Sequence, residues 1–227
     1  MVQPAPRIAA GGKMITVFGG WPTRAFRVVW ALEELGLNYQ MRPVDLRKRQ
    51  DDAEFLRVNP AGFLPVFDDD GVVMVESIAI LEYLIAKYDG KVLAPDMRDP
   101  RYPAYQQFLH LGEAGLAAYL NIVVASKFFA PEAEKQNWGS LVAERLFFSR
   151  LTLVSQRLAV VPLMAGDEFT AADISVTYAL DMADRLGLGD RFGSEVEDYR
   201  RRVSSRPAYL AAKEKLPPIA PLNPAKQ

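Results

Sequence analysis

The chain has 227 residues, half of them hydrophobic, with 27 Lys and Arg against 28 Asp and Glu and a formal net charge of −1. That proportion suits a globular chain with a real core, and the even charge balance argues against a nucleic-acid surface built on bulk charge. The lack of cysteine excludes disulfides, thiolate metal sites and a thiol nucleophile supplied by the protein, while a lone histidine, His110, argues against a histidine metal site or a Ser-His-Asp triad.

Residues 1–13, MVQPAPRIAAGGK, carry prolines and glycines but no apolar h-region, so they are expected to be a disordered leader rather than a secretory signal. No uninterrupted apolar run of about eighteen residues occurs, so no transmembrane helix is expected, and the expected compartment is the cytoplasm. Met14–Phe18 is a β-branched and aromatic strand, followed by a turn at Gly19-Gly20-Trp21-Pro22. A helix is expected from Thr23, with Val28, Val29, Leu32 and Leu35 on its buried face and Gly36 as its stop. Tyr39–Leu46 is a second strand, made short or peripheral by Pro43. A charged loop, Arg47–Asp52, and a short helix or turn, Ala53–Val58, follow.

The stretch Asn59–Leu84 packs a loop, a strand, an Asp-Gly turn, a return strand and a helix into one run. The Asp68–Asp70 run is read as that turn, not as a metal site. The element order β-α-β-α-β-β-α over residues 14–89 makes a compact α/β unit. Breakers at Asp89-Gly90, Ala94-Pro95 and Asp99-Pro100 place a linker at 90–100. Strand signals then fade. Helical patterns span Tyr102–Phe129 and Trp138–Val161, and a third helix runs from the Phe169-Thr170-Ala171-Ala172-Asp173 start to near Gly187. Val196–Ser204 and Ala208–Lys213 complete an all-α domain over 101–216, followed by a proline-rich tail at 217–227. Thr170 and Asp173 have capping-box spacing, with Phe169 placed as a hydrophobic staple.

Three places near strand ends can carry chemistry. Thr23 admits two readings: a helix cap, or a hydroxyl that stabilises a bound anion or thiolate beside a positive helix end. Leu64-Pro65 is either an edge-strand proline or a cis bond that turns the Leu64 backbone toward an extended peptide ligand. Glu76-Ser77 either caps a helix, or recognises an α-amino group through Glu76 and a carboxylate through Ser77 and the helix N-terminus. Of the other prominent residues, His110 is expected to be partly buried and structural, and Arg200-Arg201-Arg202 to be a solvated helix face.

The motifs TRAFRVVWALEELGL (Thr23–Leu37), NPAGFLPVF (Asn59–Phe67), VESIAILEYL (Val75–Leu84) and FTAADI (Phe169–Ile174), in this order and at these separations, resemble those of the cytosolic glutathione S-transferases. The resemblance runs from about Met14 to about Leu216. It implies a thioredoxin-like N-terminal domain, an all-α C-terminal domain and a homodimer. Glutathione would be the co-substrate, a small hydrophobic electrophile its partner, and no metal, nucleic acid or membrane would be involved. It further implies that Thr23 bonds the glutathione thiolate, that Leu64 pairs through its backbone beside a cis Pro65, and that Glu76 and Ser77 hold the γ-glutamyl end. Thr170 and Asp173 would serve folding. Residues Tyr105, Phe108, Glu113, Tyr119 and Phe128 on the first long helix would be core, dimer or electrophile contacts, and Trp21 would either overhang the site or simply pack.

Two departures from the family stand out. Threonine occupies the place of the usual serine, tyrosine or cysteine, and Phe63 replaces the basic residue that meets the glycine carboxylate. Arg47, Lys48 and Gln50 are the candidates to take over that contact. Besides conjugation, two alternatives remain open: glutathione-dependent disulfide reduction, and a non-catalytic binding module that has kept the fold.

Overall fold

The computed structural model describes residues 14–219; residues 1–13 and 220–227, which hold the expected leader and most of the expected tail, lie outside the described residues. Strands β1 (Ile15–Phe18), β2 (Tyr39–Arg42), β3 (Val66–Asp69) and β4 (Val72–Val75) form one sheet in the order β2-β1-β3-β4. β1 and β2 are parallel and joined through α1 (Ala25–Glu34); β3 runs antiparallel to β1, and β4 to β3. With α2 (Ala53–Val58) and α3 (Ser77–Lys87) this is the expected thioredoxin-like order. β2 ends at Arg42 rather than Leu46, because Pro43 has no N–H to continue a ladder. The β3–β4 turn has left-handed φ at both Asp70 (56°) and Gly71 (85°), the two-residue geometry whose twist matches the strands it joins.

The register fixes where the chemistry sits. Arg42 pairs with Phe18, Phe18 with Val66 and Val66 with Val75, so these four residues form a row across the sheet. The Gly19–Thr23 loop leaves that row from β1, Leu64-Pro65 enters it just before β3, and Glu76-Ser77 leaves it from β4. The three sequence-distant candidates therefore share one end of one sheet.

The helical half contains α4 (Tyr102–His110), α5 (Ala118–Phe129), α6 (Trp138–Leu158), α7 (Ala171–Arg185), α8 (Ser194–Ser204) and α9 (Pro207–Lys215). α4 runs into α5 through a widened π-helical turn, Leu111–Ala117. The continuous run Tyr102–Phe129 is long and apolar enough to cross a membrane, with mean hydropathy 1.4 over its best window. It packs here against α6 and α7, with 39% of that window buried. Gly112 in the π turn lets α7 approach closely: a Cβ there would lie 2.3 Å from Ser175 Oγ.

One hydrophobic core joins both halves. Val28, Val29 and Trp30 of α1 pack in the same cluster as Val17 and Phe67 of the sheet and Ile174 and Ala179 of α7. A smaller cluster, Phe18, Val44, Phe55, Leu64 and Val66, includes Phe18 and Val66 of the row. The capping box forms: the Thr170 N–H donates to Asp173 Oδ2 at 2.9 Å, and Phe169 stacks on Trp30 of α1 at 5.6 Å.

Several expectations are corrected. α1 begins at Ala25, because the first turn closes with tight bonds from Phe26 N–H to Thr23 O and from Arg27 N–H to Arg24 O. His110 is exposed, at the end of α4, where it meets Gln106 at 3.2 Å and Glu82 at 3.6 Å. Of Arg200-Arg201-Arg202, Arg201 and Arg202 are exposed as expected, whereas Arg200 is half-buried and bridges Glu197, Asp181 and Asp184, since α8 packs along the polar edge of α7.

Candidate active site

Leu64 is buried, the Leu64-Pro65 bond is cis, and neither the N–H nor the C=O of Leu64 makes a hydrogen bond among the described residues. Buried backbone groups are nearly always paired, so an unpaired donor and acceptor on one residue mark a place for an extended ligand. The loop is braced on its other side, where Asn59 Nδ2 donates to Phe63 O and Asn59 Oδ1 accepts from Ala61 N–H.

Thr23 is half-buried at the start of α1. Its hydroxyl donates to Gly20 O at 2.7 Å and accepts from Ala25 N–H at 3.3 Å. The proton is thus already committed to a backbone carbonyl. To donate to a thiolate, the hydroxyl must turn from Gly20 O, exchanging one hydrogen bond for a charge-assisted one that is roughly twice as strong. The adjacent Arg24 N–H has no partner among the described residues, so the helix end offers a second donor.

Glu76 is exposed and holds φ 71°, ψ 103°, a left-handed backbone that a non-glycine side chain adopts only when its surroundings impose it. This geometry sets Ser77 at the first position of α3, fully buried. Arg27 Nη1 donates to Ser77 Oγ at 3.2 Å, which leaves the Ser77 proton free to donate to an anion at the helix N-terminus.

Behind Ser77 lies an ionic network between the two halves. The Arg27 side chain has no solvent exposure; it bonds Glu113, Gly112 O at 3.2 Å and Ser175 O at 3.1 Å, and stacks on the Tyr178 ring at 4.4 Å. Arg24 grips the same Glu113 through two bonds, of 2.8 and 2.7 Å. Burial alone would raise the Glu113 pKa, but Arg24 and Arg27 outweigh it and hold Glu113 below its ordinary value. Burial pushes the Arg27 guanidinium down against the pull of Glu113. Sequence reasoning named Glu113 only as a contact on the long helix; its role depends on the π turn, which no local pattern announces.

At the loop end, Phe63 is exposed and supplies no charge. Of the proposed replacements, Arg47 is exposed and paired with Asp45, and Lys48 and Gln50 are exposed. The loop instead turns half-buried Arg49 toward Gly62, where a Cβ would meet Arg49 Cδ and Nε at 3.6 Å. Trp21 does not overhang the site: it packs edge-on against Phe26 at 5.2 Å and beneath Arg185 at 4.7 Å. Tyr105 and Phe108 are core, Tyr119 lies under Arg150, and Phe128 is exposed. A cleft of about 390 Å³ beside residues 89–101, lined by Lys91, Arg101, Glu168 and Phe169, holds none of these residues. Among the described residues no group of three His, Cys, Asp or Glu could hold a metal ion.

A family model for the glutathione S-transferase N-terminal domain matches residues 13–86, the segment that contains Thr23, Leu64, Glu76 and Ser77. Glutathione S-transferase 3 of Schizosaccharomyces pombe is 30% identical over 205 residues, 86% of this chain and 84% of that protein. A probable maleylacetoacetate isomerase of Caenorhabditis elegans is 28% identical over 88% of this chain and 92% of its own length. Among solved structures, a glutathione transferase of Phanerochaete chrysosporium in complex with oxidized glutathione superposes with a TM-score of 0.79 at 26% identity, covering 90% of this chain and 96% of that one. The sheet order, the site at its end and a relative aligned along most of both chains agree: this chain belongs to the glutathione S-transferase family.

Proposed function

We propose that the chain is a glutathione transferase that binds glutathione along Leu64-Pro65 and the start of α3, and presents its thiolate at the start of α1 to a small hydrophobic electrophile. The observation that carries this reading is the unpaired backbone N–H and C=O of Leu64, at the same end of the sheet as Thr23 and Glu76. Leu64 would pair with the cysteinyl unit. Glu76 would meet the α-amino group, and Ser77 with the α3 N-terminus the α-carboxylate. Thr23 Oγ and the Arg24 N–H would face the thiolate, and Arg49 the glycine carboxylate in place of a basic residue at Phe63.

Free thiols have pKa about 8.5, so each unit of lowering that the α1 terminus supplies corresponds to roughly 1.4 kcal/mol. The different activities named for relatives of similar identity leave the electrophile to experiment. Isothermal titration with glutathione tests the reading: the wild type should bind, and Glu76→Ala should weaken binding at least tenfold by an order-of-magnitude estimate for a lost charged contact. Equal binding by both proteins would contradict it.

Disulfide reduction is a second reading, favoured by the oxidized glutathione bound to the Phanerochaete relative. Turnover of a mixed glutathione disulfide, compared with turnover of an aryl halide, decides between the two. The proposal includes a cytoplasmic homodimer. Exposed Val72 and Val73 on the edge strand β4 support the dimer, since an apolar edge calls for cover. Light scattering on the eluting protein tests it; a monomer at micromolar concentration would refute it.

A further inference from the structure

The loop that carries Thr23 is held by the other end of the chain. Residues 217–219 run beside Trp21 as a parallel bridge, in which Trp21 N–H donates to Pro217 O at 2.9 Å and Ile219 N–H donates to Trp21 O at 2.8 Å. The approach is tightest at Gly20. A Cβ on that residue would lie 2.6 Å from both Ile219 Cγ1 and Pro217 O, so only glycine admits the segment. The Ile219 side chain continues onto the small cluster that contains Phe18, Val66 and Leu64. One short segment thus touches the Thr23 turn and the Leu64 platform together. Gly20 O, in turn, accepts both the Thr23 N–H at 3.0 Å and the Thr23 hydroxyl at 2.7 Å.

We infer that Ile219 is a positioning residue for thiolate activation: the Pro217–Ile219 segment fixes the Gly20 carbonyl, and through the Thr23 N–H bond to that carbonyl the backbone of the Thr23 turn, so that the hydroxyl, once it leaves Gly20 O, stays in reach of the thiolate. The inference rests on the thiolate role of Thr23 proposed above, and it adds a dependence of thiol acidity on the C-terminal segment. The physical reason is the freedom of the loop. Gly19 and Gly20 leave the backbone between β1 and α1 permissive, and the bonds to Pro217 and Ile219 remove that freedom. A hydrogen bond to sulfur weakens steeply with angle, so a hydroxyl on a loosened turn stabilises a thiolate poorly even when glutathione still binds. A segment that only stapled the chain end would lower the melting temperature and leave the thiol pKa where it was.

The test is an ultraviolet titration of the thiolate of bound glutathione against pH. It compares the full chain, a chain ending at Leu216, Ile219→Pro, Thr23→Ala, and Thr23→Ala in the chain ending at Leu216. Ile219→Pro removes the N–H that donates to Trp21 and keeps the chain length. The expected result is that truncation and Ile219→Pro both raise the apparent thiol pKa by most of the shift that Thr23→Ala causes. That shift is on the order of one unit, or roughly tenfold less thiolate at neutral pH. The double variant should show little further shift, as for two changes acting through one contact. A shift from Thr23→Ala with none from Ile219→Pro overturns the positioning role and leaves Thr23 in place. No shift from Thr23→Ala overturns the Thr23 reading and this inference with it. Full additivity in the double variant shows that the segment acts by another route and also overturns the inference. Should the truncated chain not fold, Ile219→Pro alone decides.

Discussion

Arg27 Nη1 donates to Ser77 Oγ at 3.2 Å, across fifty residues of sequence, and the same guanidinium is clamped by Glu113 of the helical half. The group that orients a proposed ligand-binding hydroxyl is therefore itself oriented by the opposite half of the molecule.

Ser77→Ala should separate affinity from stability. Arg27 keeps Glu113, Gly112 O and Ser175 O, so the loss in stability should be about 1 kcal/mol, the net worth of one hydrogen bond. Glutathione affinity should fall by roughly tenfold, since a bond to a charged group is worth about 1.5–3 kcal/mol. Calorimetric titration and thermal melting on the same sample check both. A large loss of stability with unchanged affinity would assign Ser77 to packing alone.

Glu113→Gln should destabilise the chain strongly, because it strips the buried Arg27 of its counter-charge. Breaking a buried pair costs about 3–5 kcal/mol, and the lower end applies here because Glu113 is 24% exposed. The same network predicts acid sensitivity. The folded pKa of Glu113 lies below its ordinary value of 4.5, so its contribution is fully present above that value and is lost as pH falls through the lower folded pKa. Chemical denaturation of wild type and Glu113→Gln between neutral pH and pH of about 3 should show the wild-type advantage shrinking as the acid limit is approached. A constant difference across that range would contradict the assignment.

Arg49→Met should weaken glutathione binding, and Arg47→Met should not, because Arg49 is turned toward Gly62 and held there by a bond from its Nη1 to Leu46 O at 2.9 Å, while Arg47 is paired with Asp45. The expected loss for Arg49→Met is about tenfold, that of one charged contact. Competition with a glutathione analogue whose glycine carboxylate is amidated checks the assignment: Arg49→Met should no longer distinguish the two ligands.

Thr170→Ala should cost about 1 kcal/mol, the usual worth of a helix cap. Asp173→Ala should cost more, because Asp173 also accepts from Met164 N–H at 2.9 Å and from the Tyr199 hydroxyl at 3.0 Å. Melting curves give the ranking, and bound-thiol acidity should be the same in both variants. A changed thiol pKa would show that α7 reaches the chemistry.

What could be read from the sequence was local. The Asp-Gly turn, the short strand ended by Pro43, the Thr170–Asp173 box and the three strand-end candidates each rest on residues a few positions apart, where turn and capping chemistry act. The remainder depends on contacts between distant segments. The π turn that brings Glu113 to Arg24 and Arg27 has no residue signature, and the direction of Arg49 rather than Arg47 follows from a loop whose charged side chains look alike in sequence. The pairing of Ile219 with Trp21 joins segments from opposite ends of the chain, and nothing in the proline-rich composition of the tail foretells it.

The most direct test of the central claim is proton release on binding. Glutathione is titrated calorimetrically into the full chain near pH 7 in buffers of different ionisation enthalpy. Free glutathione carries its thiol proton there, since thiol pKa values lie about 8.5. If the α1 terminus holds the ligand as thiolate, binding should release a substantial fraction of one proton, and Thr23→Ala should reduce that release while still binding. Binding by the wild type with no proton release would contradict the account.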